Sequence, residues 1–218
     1  MSTLIVLGTS HAEDGACTSE ELYKIIKKIN PQAVFCEASP EKLPQYLKRT
    51  DVNTPEINVI KRLNQEEKPI EIVPVDVNEN PFDQRLEAMF ELIKREMEEY
   101  LGAARMLSNE TYLKGFPFLN SKDCDNICRD KNEMERYFMN TNNMKYKGLS
   151  HFYYLWLKWN DKREYQWIDL INNYFKLNNT KKAVLLVGAK HRYRLMDKIN
   201  DIQNTNEHSY DWDFFHFE

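Results

Sequence analysis

The sequence predicts an α/β fold built on a mainly parallel sheet with flanking helices, and three observations carry that prediction. Short apolar runs rich in β-formers recur at residues 3–7, 33–36, 70–75 and 183–187. Stretches with helical periodicity separate the first three runs, the alternation that marks β-α-β units. The chain has 218 residues, 42% hydrophobic and 12% aromatic, enough to bury a core of ordinary size. Runs that are apolar throughout suit strands covered on both faces, as right-handed crossovers require.

The first strand ends at Gly8. Thr18-Ser19-Glu20-Glu21 reads as a capping box, followed by Leu22, Ile25, Ile26 and Ile29 on one helical face, and Asn30-Pro31 stops the helix. After the second strand, Ser39-Pro40 begins another helix, with serine as cap and proline in the first turn. Residues 50–68 are polar and read as a loop and a helix before the third strand. Residues 82–104 form one amphipathic helix, with Leu86, Met89, Phe90, Ile93, Met97, Tyr100, Leu101 and Ala104 in one stripe. Residues 106–180 carry no buried strand and are dense in aromatics. They predict a helical insertion or cap between an N-terminal half (1–105) and a C-terminal part (181–218) of the α/β domain. The fourth strand ends at Gly188, a helix follows over 193–202, and residues 212–217 read as an antiparallel edge strand.

Composition removes several function classes. Thirty basic against 34 acidic residues give a net charge of −4 and a pI near 5.8, which argues against nucleic acid as a partner. No apolar run approaches the roughly 20 residues that cross a bilayer, and no secretory pattern opens the chain. The expectation is a cytoplasmic protein with no membrane partner. Oligomeric state is not legible. Cys124 and Cys128 share a helical face, but the four cysteines read as packed thiols rather than a zinc or redox site. Only six residues are glycine, where about 15 are expected.

Two of those glycines mark the candidate site. The first strand ends Gly8-Thr9-Ser10-His11 and the fourth ends Gly188-Ala189-Lys190-His191. In an open parallel sheet, ligands bind beyond the carboxyl ends of the strands. Glu37 follows the second strand and Asp76 the third, so four strands finish at His11, Glu37, Asp76 and His191. Two imidazoles and a carboxylate suit a divalent ion that activates a water. Without a metal, one histidine serves as general base, oriented by Glu37. Ser10 lacks a nucleophile elbow, because Ala12 stands where the second glycine belongs. Lys190, Arg192 and Arg194 either attract an anionic substrate or form a solvated helical turn. His151, His208 and His216 read as structural.

The two Gly-x-x-His motifs and the strand-end Glu37 resemble the TraB/PrgY–TIKI–GumN superfamily, to which erythromycin esterases are related. The resemblance implies a hydrolase of a peptide or of a small ester or amide, with Mn, Co or Zn as the metal where one is used. It implies His11, Glu37 and His191 as catalytic or metal-binding residues, with Gly8, Ser10, Asp76, Gly188 and Lys190 in support. The family also carries an arginine followed by Asp or Asn and a methionine before the last strand. Arg129-Asp130 with Met134 resembles it, one residue longer than usual, and Arg136 with Met139 is a competing match. The rival expectation is a non-catalytic binding or immunity-type protein that sequesters a peptide or hydrophobic ligand in the same cleft.

Overall fold

The computed structural model of the chain describes residues 2–49, 51, 53–76, 81–203 and 210–215. Five strands form one sheet: β1 (Ser2–Thr9), β2 (Ala33–Cys36), β3 (Glu71–Pro74), β4 (Lys182–Gly188) and β5 (Tyr210–Asp213), in the order β3-β2-β4-β1-β5. Every pairing is parallel. The tail strand corrects the antiparallel expectation: Ser2 pairs with Tyr210 and Ile5 with Asp213, in parallel register. An edge strand reached from α9 (Ala189–Gln203) returns to the same end of the sheet, so it runs with its neighbour rather than against it. His208, His216 and the end of the expected strand lie outside the described residues.

Alternate residues of the central strands enter two separate cores. Ile5, Leu7, Val34, Cys36, Val184 and Leu186 meet α1 (Ser19–Ile29), α3 (Pro55–Asn64) and neighbouring helices. Leu4, Val6, Phe35, Ala183, Leu185 and Val187 meet Trp167, Ile171 and Phe175 of α8 (Lys147–Leu177), and α9. Local chemistry sets the helix starts. Thr18, Thr54 and Ser121 cap α1, α3 and α7 (Lys122–Thr141), each side chain accepting a backbone N–H of the first turn.

The single helix expected over 82–104 is two: α4 (Asp83–Glu96) and α5 (Glu98–Lys114), broken at Met97, whose backbone is extended. Glu98 and Glu99 then open α5, where acidic side chains favour the helix N-terminus. The break displaces one residue only, so the apolar stripe reads on through it. α5 runs across residue 105.

The expected cap is helical: α6 (Phe116–Leu119), α7 and α8 follow α5. A third cluster, including Leu86, Met89, Ile93, Tyr100, Phe138, Tyr153 and Leu157, joins α4, α5, α7 and α8. Cap and sheet share α8, whose first half packs in this cluster and whose second half covers the sheet. Its 31 residues span roughly 46 Å, and its middle passes the carboxyl ends of the strands. Among the described residues no helix is long and apolar enough to cross a membrane. All four cysteines are buried and unbridged, as packed thiols.

Candidate active site

The register of the sheet brings the two glycine–histidine motifs side by side. β1 and β4 are neighbours, with Gly8 opposite Val187 and Thr9 opposite Gly188, so the motifs are staggered by one residue. β2 lies on the other side of β4, with Cys36 opposite Leu186, which carries Glu37 to the same edge. His11, Glu37 and His191 therefore come from three adjacent strand ends. They line one cleft of about 540 Å³ with Ser10, Trp156, Arg163 and Lys190.

Each histidine is held from behind by a carboxylate. His191 Nδ1 lies 2.7 Å from Glu164 Oε1, and its ring meets Trp167 edge-on at 5.0 Å. His11 Nδ1 lies 3.2 Å from Glu56 Oε1, which also accepts the Thr9 hydroxyl at 2.6 Å. Carboxylate acceptors at Nδ1 fix the tautomer with the proton there and leave Nε2 as a base. His191 Nε2 faces Glu37 Oε1 at 3.6 Å. His11 Nε2 lies 3.1 Å, and Glu37 Oε2 3.8 Å, from the point where a Cβ on Gly188 would stand. Glycine at that position keeps open the space that His11 and Glu37 face.

Glu37 is clamped in its turn. Arg163 Nη2 donates to Oε1 at 2.9 Å and the Gly188 N–H donates to Oε2 at 3.1 Å. Burial opposes the Glu37 charge, but His191, Arg163 and His11 outweigh it and hold the carboxyl below its usual range. Arg163 is fixed by a two-pronged bond to Asp76, at 2.9 and 2.8 Å, and lies between the rings of Trp159 and Trp167. Asp76, at the end of β3, reaches Glu37 only through Arg163.

Glu164 is fully buried among cations. His191 and Arg194 Nε both lie 2.7 Å from Oε1, and Lys198 makes an ion-pair contact of 3.1 Å with Oε2 without hydrogen-bond geometry. Burial works against its charge, yet the bond from His191 and the charges of His191 and Arg194 bring its pKa down to about 2. At the cleft mouth the His11 side chain is 68% exposed. Its hydrogen bond with Glu56 raises its pKa against burial, aided by the Glu37 and Glu56 charges.

The arginine of this site is Arg163, and neither Arg129 nor Arg136 reaches it. Arg129 forms a two-pronged bond with Asp197 at 2.6 and 2.9 Å in a separate surface groove, and Arg136 lines that groove, exposed. Arg163, Glu164 and Glu56 were not singled out in the sequence. A signal was present: Asn160, Arg163, Glu164 and Trp167 fall on one buried face of α8, and Arg163 precedes an acid. That acid is Glu rather than Asp or Asn, and no methionine follows.

Other residues settle into distinct places. Ser10 lines the cleft, and among the described residues its Oγ has a single 3.5 Å contact, with the Ala12 N–H, and no hydrogen bond to a histidine. Arg192 is wholly buried on Asp125 and the Phe214 carbonyl, Arg194 serves Glu164, and Lys190 alone of the three lines the cleft. His151 lies exposed on α8. Gly8 is needed for close approach: a Cβ there would stand 2.7 Å from Arg192 Cδ and 2.9 Å from the Leu119 carbonyl.

In the arrangement shown, each Glu37 oxygen accepts a hydrogen bond, the Arg163 guanidinium lies against that carboxylate, and no group of three His, Cys, Asp or Glu is placed to hold an ion among the described residues. The arrangement suits proton transfer: two oriented imidazoles face a carboxylate that stabilises either one when it is protonated. Against protein-family models, curated proteins and solved structures, nothing matches this chain.

Proposed function

We propose that the cleft is a hydrolytic centre that cleaves a small amide or ester by acid–base catalysis, in keeping with the TraB/TIKI-like resemblance. One observation carries the reading: a carboxylate lies against Nδ1 of each histidine, His191 Nε2 faces Glu37, and His11 Nε2 and Glu37 Oε2 border the same space at Gly188. His191, oriented by buried Glu164, is the base. It takes a proton from water as the water oxygen attacks the carbonyl carbon. The oxyanion forms beside Lys190 and the first N–H groups of α9, where the helix dipole favours negative charge. His11, its pKa raised, protonates the leaving nitrogen or oxygen as the bond to carbon breaks. The His191 proton then returns through solvent to His11. Glu37 stays ionised and stabilises each imidazolium.

The test is turnover of a panel of acyl amino acids, dipeptides and aryl esters in chelated buffer. Loss of His191, or of His11, is expected to lower kcat/KM about 10²- to 10⁴-fold. Restoration of turnover by Mn²⁺, Co²⁺ or Zn²⁺ after chelation would replace the metal-free scheme. Ligand binding without turnover, unchanged by either loss, would leave a binding protein.

A further inference from the structure

The cleft continues past His191 into a narrower recess of about 90 Å³ beneath the cap helices. Leu107, Cys128, Trp156, Asn160, Lys190 and His191 line both spaces, so the recess opens directly beside the base. At its inner wall lies Lys131 of α7, 7% exposed. Among the described residues this lysine makes no hydrogen bond or ion pair, and its ammonium has only the face of Tyr100, at 4.5 Å. Burial, and then the charge of Lys190, lower its pKa to about 8, which leaves it largely cationic at neutral pH. A buried cation without a partner costs folding energy. Its i+4 neighbour Glu135 does not neutralise it by contact. That carboxylate is taken up by the Tyr100 hydroxyl at 2.8 Å and the Tyr153 hydroxyl at 3.3 Å.

We propose that this recess is a carboxylate subsite, in which Lys131 and Lys190 grip an anionic end of the substrate. Arg194, which also lines the recess, is paired with Glu164, so Lys131 and Lys190 against Glu135 leave a single excess positive charge, which matches a monoanion better than a phosphate dianion. A recess of this size admits one carboxylate group. The rest of the ligand then lies across His191, with the oxygen of its amide or ester carbonyl toward the first N–H groups of α9. The substrate class becomes an acylated amino acid or a short peptide recognised by its terminal carboxylate. What happens to that ligand rests on the hydrolytic reading above; the grip itself does not.

N-Acetylglycine and its uncharged counterpart N-acetylglycinamide are the probes, titrated calorimetrically into the wild type and into His191→Ala, which removes the base. Charged hydrogen bonds predict that N-acetylglycine binds about 10- to 100-fold tighter than the amide in both proteins. Lys131→Met, nearly isosteric, is expected to abolish that margin while the melting temperature holds or rises, because an unpartnered buried charge is gone. A lysine with a purely structural role would lower the melting temperature instead. Should Lys131→Met fail to fold, exposed Lys190→Gln must still narrow the margin. Equal affinity for the two probes in the wild type, or a margin that survives in Lys131→Met, overturns the subsite. Displacement of N-acetylglycine by inorganic phosphate at equal or lower concentration overturns the choice of a carboxylate. A margin without turnover supports the subsite and overturns the hydrolytic reading alone.

Discussion

At the scale of single residues, the two motif glycines do different work. Gly188 holds open the face of the site, and the atom that a Cβ would press at 3.1 Å belongs to the largely exposed ring of His11. Gly8 sits under the Leu119 carbonyl and Arg192, neither of which has room to move. Gly188→Ala is therefore expected to keep its stability within about 1 kcal/mol and to lose at least about tenfold in kcat/KM, as His11 is displaced. Gly8→Ala is expected to lose about 1–3 kcal/mol in urea unfolding. Stability and rate measured on both variants separate the roles. Glu164 and Glu56 carry the orientation of the histidines, yet neither lies in a motif, and residue type alone does not reveal an acid that is buried against imidazole.

At the scale of elements, the strands and the Thr18 cap were legible because each is fixed by local sequence. The four apolar runs are all strands, and Thr18 caps α1 as its capping pattern implied. The helix expected from Ser39-Pro40, by contrast, starts only at Leu43 (α2, Leu43–Lys48), with Lys42 at its N-cap and no side-chain cap bond, because Ser39 accepts the Lys42 N–H in a turn that precedes it. Direction and continuity were less legible. The parallel course of β5 depends on where α9 delivers the chain, and the break at Met97 leaves the apolar phase intact, with no glycine or proline to mark it. The centre was read in part: His11, Glu37 and His191 sit at strand ends, whose position follows from the sheet. Arg163 and Glu164 come from the middle of a 31-residue helix, and only its path across the sheet edge brings them there. An arginine chosen by motif spacing gave Arg129, which is bound to Asp197 on the surface.

At the scale of the molecule, α8 joins the cap core, the site and the sheet core, so the charge network of the centre is also a fold contact. Glu164 shows the consequence for pH. Its folded-state pKa, about 2, lies below the ordinary 4.5, so its stabilisation is full above pH 4.5 and is lost as pH falls toward 2. About 3 kcal/mol of stability should disappear across that window. Glu164→Gln is expected to be less stable at neutral pH and to show a shallower acid transition, followed by urea unfolding at several pH values.

The central claim is that both imidazoles hold Nδ1 against a carboxylate and turn Nε2 into the cleft, His191 as the base and His11, once protonated there, as the acid. Long-range ¹H–¹⁵N NMR of the histidine rings at alkaline pH, where both rings are neutral, tests it most directly. The account predicts the Nδ1–H tautomer for both His11 and His191, with the His191 signal changed in Glu164→Gln and the His11 signal retained. An Nε2–H tautomer at His191 would place a proton where the base must accept one, and would contradict the account.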